Sequence, residues 1–448
     1  MITTFPFDDL PPLDGSVRGD PATLADYTQD AGHVVVRAPA AVLCPGSVAD
    51  VQAMMRFCRR RRIPVVARGL GNTTGGQSLT SGLVVDCRTL DTVEIESGRA
   101  IVGSGATWLD VARAARPHNL AIPAATGYLA LTIGGTLSVG GVPPAFRAGA
   151  QIDHVLELDV VTGDGELHRC SDTQEPALFE AVLGGLGRLG VITRAVVALI
   201  PAPGRVRGHS RTYTDRATFF ADLRTLLDRC EITEAYGEWC RPGEPTGTTH
   251  LSTFTFHDAS APPEDGHLLR GLSGVPDAVT DDDYLDHVTR IDDAVDGLRD
   301  GLGWAERMKP WLTVWLPDSQ VDGYVGEVVD GLVARDVGPG GFVLLYVHRR
   351  AALTRPSLRL PAPDGSEWVY LFTLMTSGPH TGTDPQFAAD MLGRNRRLFE
   401  RARSRGGVRY PIETVAFSPG DWRDHFGTRW AHLEQLRRRH DPAGILGP

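Results

Sequence analysis

Arg68-Gly69-Leu70-Gly71-Asn72-Thr73-Thr74-Gly75-Gly76-Gln77-Ser78 follows a short apolar segment, Pro64-Val65-Val66-Ala67, that reads as a buried strand. Glycine adopts positive φ without a steric penalty and lets a ligand approach the main chain. Consecutive N–H groups in such a turn form an anion-binding nest. The stretch is therefore a candidate cradle for a pyrophosphate. A second glycine-rich run extends from Thr126 to Val142 (TGYLALTIGGTLSVGGV), and its small residues let a flat cofactor lie against backbone. A third, Gly184-Gly185-Leu186-Gly187-Arg188-Leu189-Gly190, contains the spacing G-x-G-x-x-G. A dinucleotide fingerprint of that form needs a strand before it and a helix after it. Here a helical segment, Glu175 to Leu183, precedes it and a strand-like one, Val191 to Ile200, follows, so that reading is rejected.

Around these runs, residues 34–203 read as short strands alternating with helices. Val34-Val35-Val36 and Ala41 to Pro45 look extended. Ser47 is placed to cap a helix over Val48 to Arg61, with Val51, Met54, Met55 and Cys58 on one face. Leu83 to Cys87, Val93 to Ile95 and Ala100 to Val102 are strand-like, and Thr107 caps a helix over Thr107 to Ala115. Val155 to Cys170 predicts a hairpin that turns at Asp164-Gly165. After Pro203 the helical segments lengthen, as in Ala217 to Asp228, between strands such as Leu312 to Leu316, Phe342 to Val347 and Val369 to Leu374. Asp258 to Asp283, rich in Pro, Gly, Asp and Ser, reads as a surface loop, and Trp422 to His440 as one helix.

The composition narrows the function classes. The chain has 448 residues, 42% hydrophobic and 22% charged, which suits a globular protein of two domains, or three by a loose count. A net charge of −10 argues against a nucleic-acid groove. The run Arg59-Arg60-Arg61-Arg62 fits the solvated C-terminal end of a helix, where cations are favoured. The apolar runs are too short to span a bilayer. Met1 to Gly15 carries acids and prolines rather than a basic patch and an apolar stretch, so a cytoplasmic location without a signal peptide is expected. The one lysine is Lys309. The six cysteines form no C-x-x-C pair, and reduced, mostly buried thiols are expected. No metal-ligand spacing occurs, and no metal site is expected.

Three glycine-rich segments at this spacing resemble the vanillyl-alcohol oxidase and p-cresol methylhydroxylase (PCMH-type) flavoproteins, and most of all cytokinin dehydrogenase. Arg68 to Thr73 resembles R-G-x-G-H-S, Tyr128 to Ser138 resembles D-Y-L-x-L-T-x-G-G-T-L-S, and Gly184 to Ala195 resembles G-G-L-G-x-x-G-[IV]-I-T-R-A. Pro310 to Ser319 resembles H-P-W-L-x-x-x-x-P-x-S. Trp422, His425-Phe426-Gly427 and Trp430 resemble W-x-x-H-F-G-x-x-W, and Asp441-Pro442 with Ile445-Leu446 resembles the terminal D-P-x-x-I-L-S-P-G-Q. The resemblance implies an α+β fold: a PCMH-type FAD-binding domain of two α/β subdomains over 1–203, a substrate (cap) domain with an antiparallel sheet flanked by helices over 204–405, and a segment over 406–448 that returns to the first domain. It implies FAD contacts at Arg68, Gly69, Leu70, Gly71, Asn72, Thr73, Gln77 and Ser78, and further contacts at Gly127, Thr132, Ser138, Val142 and Ile192, with Tyr410 near the flavin. The alternative for Thr132 and Ser138 is that their hydroxyls serve only as helix caps.

Departures from the pattern set the chemistry. The histidine that carries a covalent flavin in the family is Asn72 here, and no cysteine lies near Gly127 to Gly141, which implies non-covalent FAD. The aspartate that accepts the substrate's proton is Gly127, and a glycine is no general base. The terminal serine is Gly447, followed by Pro448, and the glutamine has no counterpart. Two readings follow, with a third, a catalytically dead binding protein, behind them. One is an FAD-dependent oxidoreductase, not a true cytokinin dehydrogenase, acting on a small secondary metabolite by hydride transfer. The other is a redox-neutral cyclase that keeps FAD as structure, where pocket shape and polarisation suffice. Candidates for acid–base work are Tyr128, Tyr346, His348, Glu238 and Asp318. Trp311, Trp315, Trp368 and Phe372 are candidate apolar walls, or ordinary core. A monomer or homodimer with no nucleic-acid or membrane partner is expected.

Overall fold

A computed structural model of the chain describes residues 5–240 and 248–447. Met1–Thr4 of the N-terminal stretch and Pro448 of the terminal motif lie outside the described residues. The architecture is α+β. A four-stranded sheet runs in the order Ser16–Arg18, Ala41–Cys44, Leu83–Asp86, Val65–Arg68, parallel except for the first pair. The helix Val48–Arg61 buries Val51, Met54, Met55, Phe57 and Cys58 against it. Its arginines occupy the last turn, and Arg62 closes it at φ 54°. Ser47 is the N-cap, but its hydroxyl makes no capping bond. The amides of Asp14, Gly15 and Gly46 donate instead to the Asp50 carboxylate inside the first turn.

A five-stranded antiparallel sheet follows, ordered Val93–Glu96, Arg99–Gly103, Gly190–Ala198, Val155–Thr162, Leu167–Ser171. The last two strands are the expected hairpin: Gly165 turns it at φ 86°, and the Thr162 hydroxyl donates to Asp164 at 2.6 Å. Thr107 caps Trp108–Ala115 in a reciprocal box with Asp110. The chain end returns to the first sheet, where the Val65 amide donates to the Ile445 carbonyl at 2.8 Å.

The largest sheet has eight antiparallel strands: Ala278–Asp283, Arg205–Tyr213, Thr249–His257, Glu234–Trp239, Phe342–Arg349, Trp368–Met375, Leu312–Pro317 and Val408–Arg409. Side chains alternate between its faces. One face, with Trp239, Leu345, Tyr370 and Phe372, packs on the helices Arg216–Leu227, Asp318–Gly331 and Pro385–Ser404. The other face, with Tyr346, Val369, Leu371 and Trp315, joins the core that holds the second glycine-rich run.

Three local expectations are corrected. Val34-Val35-Val36 forms no strand; His33 turns the chain at φ 52°, and the segment finds no partner strand. Asp258 to Asp283 is not all loop: it contains the helix Asp265–Leu268 and the edge strand Ala278–Asp283. Acidic residues are poor strand formers, but Asp281 meets Arg205 across the pair and Asp265 meets Arg207. Trp422 to His440 breaks at Gly427 (φ 52°) into Pro419–Phe426 and Trp430–His440. Trp368 and Phe372 belong to the helix-covered core rather than to a ligand wall. Cys58, Cys87, Cys170 and Cys240 are buried, Cys44 is half-buried and Cys230 is exposed, all reduced. Among the described residues no helix is long and apolar enough to cross a membrane, and no cluster of His, Cys, Asp or Glu is disposed to hold a metal.

Candidate functional site

The three glycine-rich runs meet around one open-mouthed cavity. Arg68, Gly69, Leu70, Gly71, Asn72, Thr73, Gln77 and Ser78 line it from the first run. Thr132 and Ser138 line it from the second, and Leu186, Gly187, Gly190 and Ile192 from the third and the strand after it. Close approach explains the glycines. A Cβ on Gly69 would stand 2.1 Å from the Thr132 hydroxyl oxygen, and one on Gly71 (φ 72°) would meet the Arg68 guanidinium at 2.6 Å.

The amides of residues 70–74 find no acceptor among the described residues, whereas those of Gly75 and Gly76 donate to Gln77 and Asp30. Successive N–H groups of this kind make a concavity for an anion. Arg68 adds a cation whose Nη1 has no partner. Burial lowers the pKa of this guanidinium, which Asp30 opposes. A dinucleotide pyrophosphate answers both the amides and the arginine, so the residues present fit FAD. Thr132 is the N-cap of Ile133–Leu137 yet makes no capping bond, which leaves its hydroxyl to the cavity. The Ser138 hydroxyl, in contrast, donates to the Gly134 carbonyl at 2.7 Å and closes that helix.

Asn72 contributes only a carboxamide, whose Nδ2 donates to the Ala130 carbonyl at 3.4 Å. It has no nucleophilic ring nitrogen for a covalent flavin link. Cys87 also lines the cavity, but burial pushes its thiol up to about 12, which keeps the nucleophilic thiolate scarce at neutral pH.

Gly127, Val142 and Tyr410 stand outside this lining. The Gly141 amide donates to the Tyr410 hydroxyl at 3.2 Å, and Tyr410 is followed by Pro411 and Ile412, which do line the cavity. Val142 is buried in the core beside the second run. A Cβ on Gly127 would meet nothing within 4 Å but the Tyr346 hydroxyl oxygen, at 3.1 Å.

Of the acid–base candidates, Tyr128 accepts from Arg299 at 2.9 Å. His348 is fully buried beside Trp315, with neither ring nitrogen partnered, and desolvation holds it neutral with a pKa of about 3. Tyr346 is a neutral phenol whose pKa is raised by burial. Glu238 lies on the same strand face as Tyr236, opposite Leu344. Asp318 accepts from Arg224 and Ser366 on the helix-covered side, apart from the glycine runs.

Several positioning residues carry no sequence motif. Asp30 accepts from the Thr73 hydroxyl (2.8 Å) and the amides of Gly76 (2.7 Å) and Gly32 (3.1 Å), and burial raises its pKa to about 6. Asp292, from the helix Tyr284–Leu302, accepts from the amides of Leu129 and Ala130 and fixes the start of the second run. Glu413 is a buried carboxyl that accepts from Thr313 (3.0 Å) and Thr74 (3.1 Å). Burial raises its pKa to about 7. Its carbonyl accepts from Gln77, which ties the first run to the wall at Pro411 and Ile412. Ser104 and Gly447 also line the cavity, the latter where the resemblance places serine.

Residues 39–171 match a family model described as an FAD-binding domain, and residues 265–448 match one described as cytokinin dehydrogenase 1, FAD and cytokinin binding. An uncharacterized oxidoreductase (ORF5 of the fasciation locus) of Rhodococcoides fascians is 33% identical over 97% of this chain and 98% of its own length. Cytokinin dehydrogenase 6 of Oryza sativa subsp. japonica is 31% identical over 96% of this chain and 90% of its own. Cytokinin dehydrogenase 5 of Arabidopsis thaliana is 31% identical over 97% and 88% respectively.

Proposed function

This chain belongs to the FAD-dependent oxidoreductase family that includes the cytokinin dehydrogenases, and from that premise we propose that it holds FAD non-covalently and oxidises a small secondary metabolite without a carboxylate base at position 127. The observation that carries this reading is the bare Gly127, faced by a single phenol. FAD, when bound, supplies a hydride acceptor. The amides of 70–74 and Arg68 would hold its pyrophosphate, and Thr132 would add a hydroxyl contact. Asp30, Asp292 and Glu413 keep the two loops in place. A substrate that is already acidic or conjugated needs no strong base to release its proton.

A second reading, a redox-neutral cyclase with FAD as structure, draws support from His348, which is walled in and neutral, and from the neutral Tyr346. Neither is suited to accept a proton near neutral pH. Anaerobic mixing with a substrate separates the two. Bleaching of the oxidised flavin spectrum in step with product supports the oxidoreductase, while product with an unchanged spectrum overturns it. N6-isopentenyladenine is expected to give no turnover, and brisk cleavage would contradict the argument from Gly127.

A further inference from the structure

Tyr346 and Tyr236 are direct partners on neighbouring strands, with ring centroids 5.8 Å apart in a T-shaped arrangement. Both are half-buried, on the sheet face turned toward the second glycine-rich run. The Tyr236 oxygen accepts from Arg290 Nη2 at 3.4 Å, so its own proton points elsewhere, and no acceptor for it exists among the described residues. Tyr346 makes no hydrogen bond among them either, and its hydroxyl oxygen stands 3.1 Å from where a Cβ on Gly127 would lie. Nearby carboxylates do not fill the gap. Glu234 is held by His287 at 3.0 Å and lies 3.9 Å from Arg290, and Glu238, two residues beyond Tyr236, has an interaction of its own. Two phenols and a guanidinium thus cluster together, and the Tyr346 hydroxyl brings that cluster to Gly127.

Resting on the oxidoreductase reading for its context, we propose that the space beside Gly127 is a substrate subsite that binds an oxygen acceptor, a carbonyl or carboxylate oxygen, through the hydroxyls of Tyr346 and Tyr236. A phenol hydroxyl with no acceptor in the protein is free to donate to an acceptor on the ligand. An ammonium group offers only further donors and meets Arg290 as a like charge. The subsite therefore selects against the alkylammonium form of an amine.

Three probes sharing a phenyl ring test this on the FAD-loaded protein: acetophenone, benzoate and benzylammonium, titrated by calorimetry and by the visible flavin spectrum. Acetophenone, benzoate or both should bind at least about tenfold tighter than benzylammonium. The tighter of the two tells a neutral carbonyl from a carboxylate. Tyr346→Phe should cut that preference about tenfold with FAD content and melting temperature unchanged. Gly127→Asp, which supplies an internal acceptor, should weaken acetophenone and benzoate and strengthen benzylammonium. Equal or tighter benzylammonium binding, no response to Tyr346→Phe, or no binding of any probe overturns the proposal. Calorimetry needs no turnover, so the two readings fail separately. If no substrate ever bleaches the flavin but the probe preference holds, the oxidoreductase reading falls and the subsite stands.

Discussion

Replacing Glu413 with glutamine should remove a pH-dependent weakness from the cofactor loop. Glu413 is enclosed between Thr74 of the first glycine run and Thr313 of the eight-stranded sheet, and burial raises its pKa from an ordinary 4.5 to about 7. One pKa unit corresponds to about 1.4 kcal/mol, so this displacement amounts to roughly 3 kcal/mol. Between those two values the folded protein keeps this proton while the unfolded chain has lost it. Stability therefore falls as pH rises through this window and levels off above about 7. Asp30, with its pKa raised to about 6, acts in the same direction but is common to both proteins and cancels in the comparison. Arg409, the other charge beside Glu413, keeps Asp421 as an acidic neighbour in the variant. Urea unfolding of the FAD-loaded protein at pH 5, 6, 7 and 8, followed by flavin release and tryptophan fluorescence, gives the two curves. The wild type should lose about 2.5 kcal/mol more than Glu413→Gln across this range. Parallel curves would show that Glu413 ionises freely in the folded state, and the account of the buried latch would be wrong.

Other outcomes follow from single contacts. Gly69→Ala forces a Cβ to within 2.1 Å of the Thr132 hydroxyl oxygen; FAD affinity, read from the absorbance ratio after gel filtration, should fall at least about tenfold while the far-UV spectrum is kept. Arg68→Met removes the cation whose Nη1 lacks a partner; FAD should bind about ten- to a hundredfold more weakly, and the salt dependence of its dissociation constant should shrink. Asp292→Asn leaves the amides of Leu129 and Ala130 with a weaker acceptor; a loss of about 1–3 kcal/mol is expected in denaturant unfolding. Lys309→Met strips the carbonyls of Ala31, Ala305 and Arg307 of their shared donor; the melting temperature should drop, by the equivalent of about 2–3 kcal/mol.

Much of the frame was legible because it is written locally. The strand Val65–Arg68 before a glycine cluster, the capped helix Trp108–Ala115 and the Asp164-Gly165 turn each follow from residues within a few positions of one another. What escaped depends on partners distant in sequence. The edge strand Ala278–Asp283 is acidic and exists because arginines on Arg205–Tyr213 meet it. Asp30, Asp292 and Glu413 are lone acids in unremarkable stretches, and only the folded chain brings them to the glycine loops. The cavity residues of the first run were readable from the glycines themselves. The place of Gly127 and Tyr410 beside the cavity, rather than on its wall, depends on how the second run bends over the sheet.

Main-chain amides at 70–74, with Arg68, are proposed to hold a dinucleotide. Equilibrium dialysis of purified protein against FAD, followed by acid precipitation, tests it directly. One FAD per chain is expected, released yellow into the supernatant. Protein that stays colourless in excess FAD would contradict the cradle, and a yellow pellet would contradict the non-covalent hold argued from Asn72.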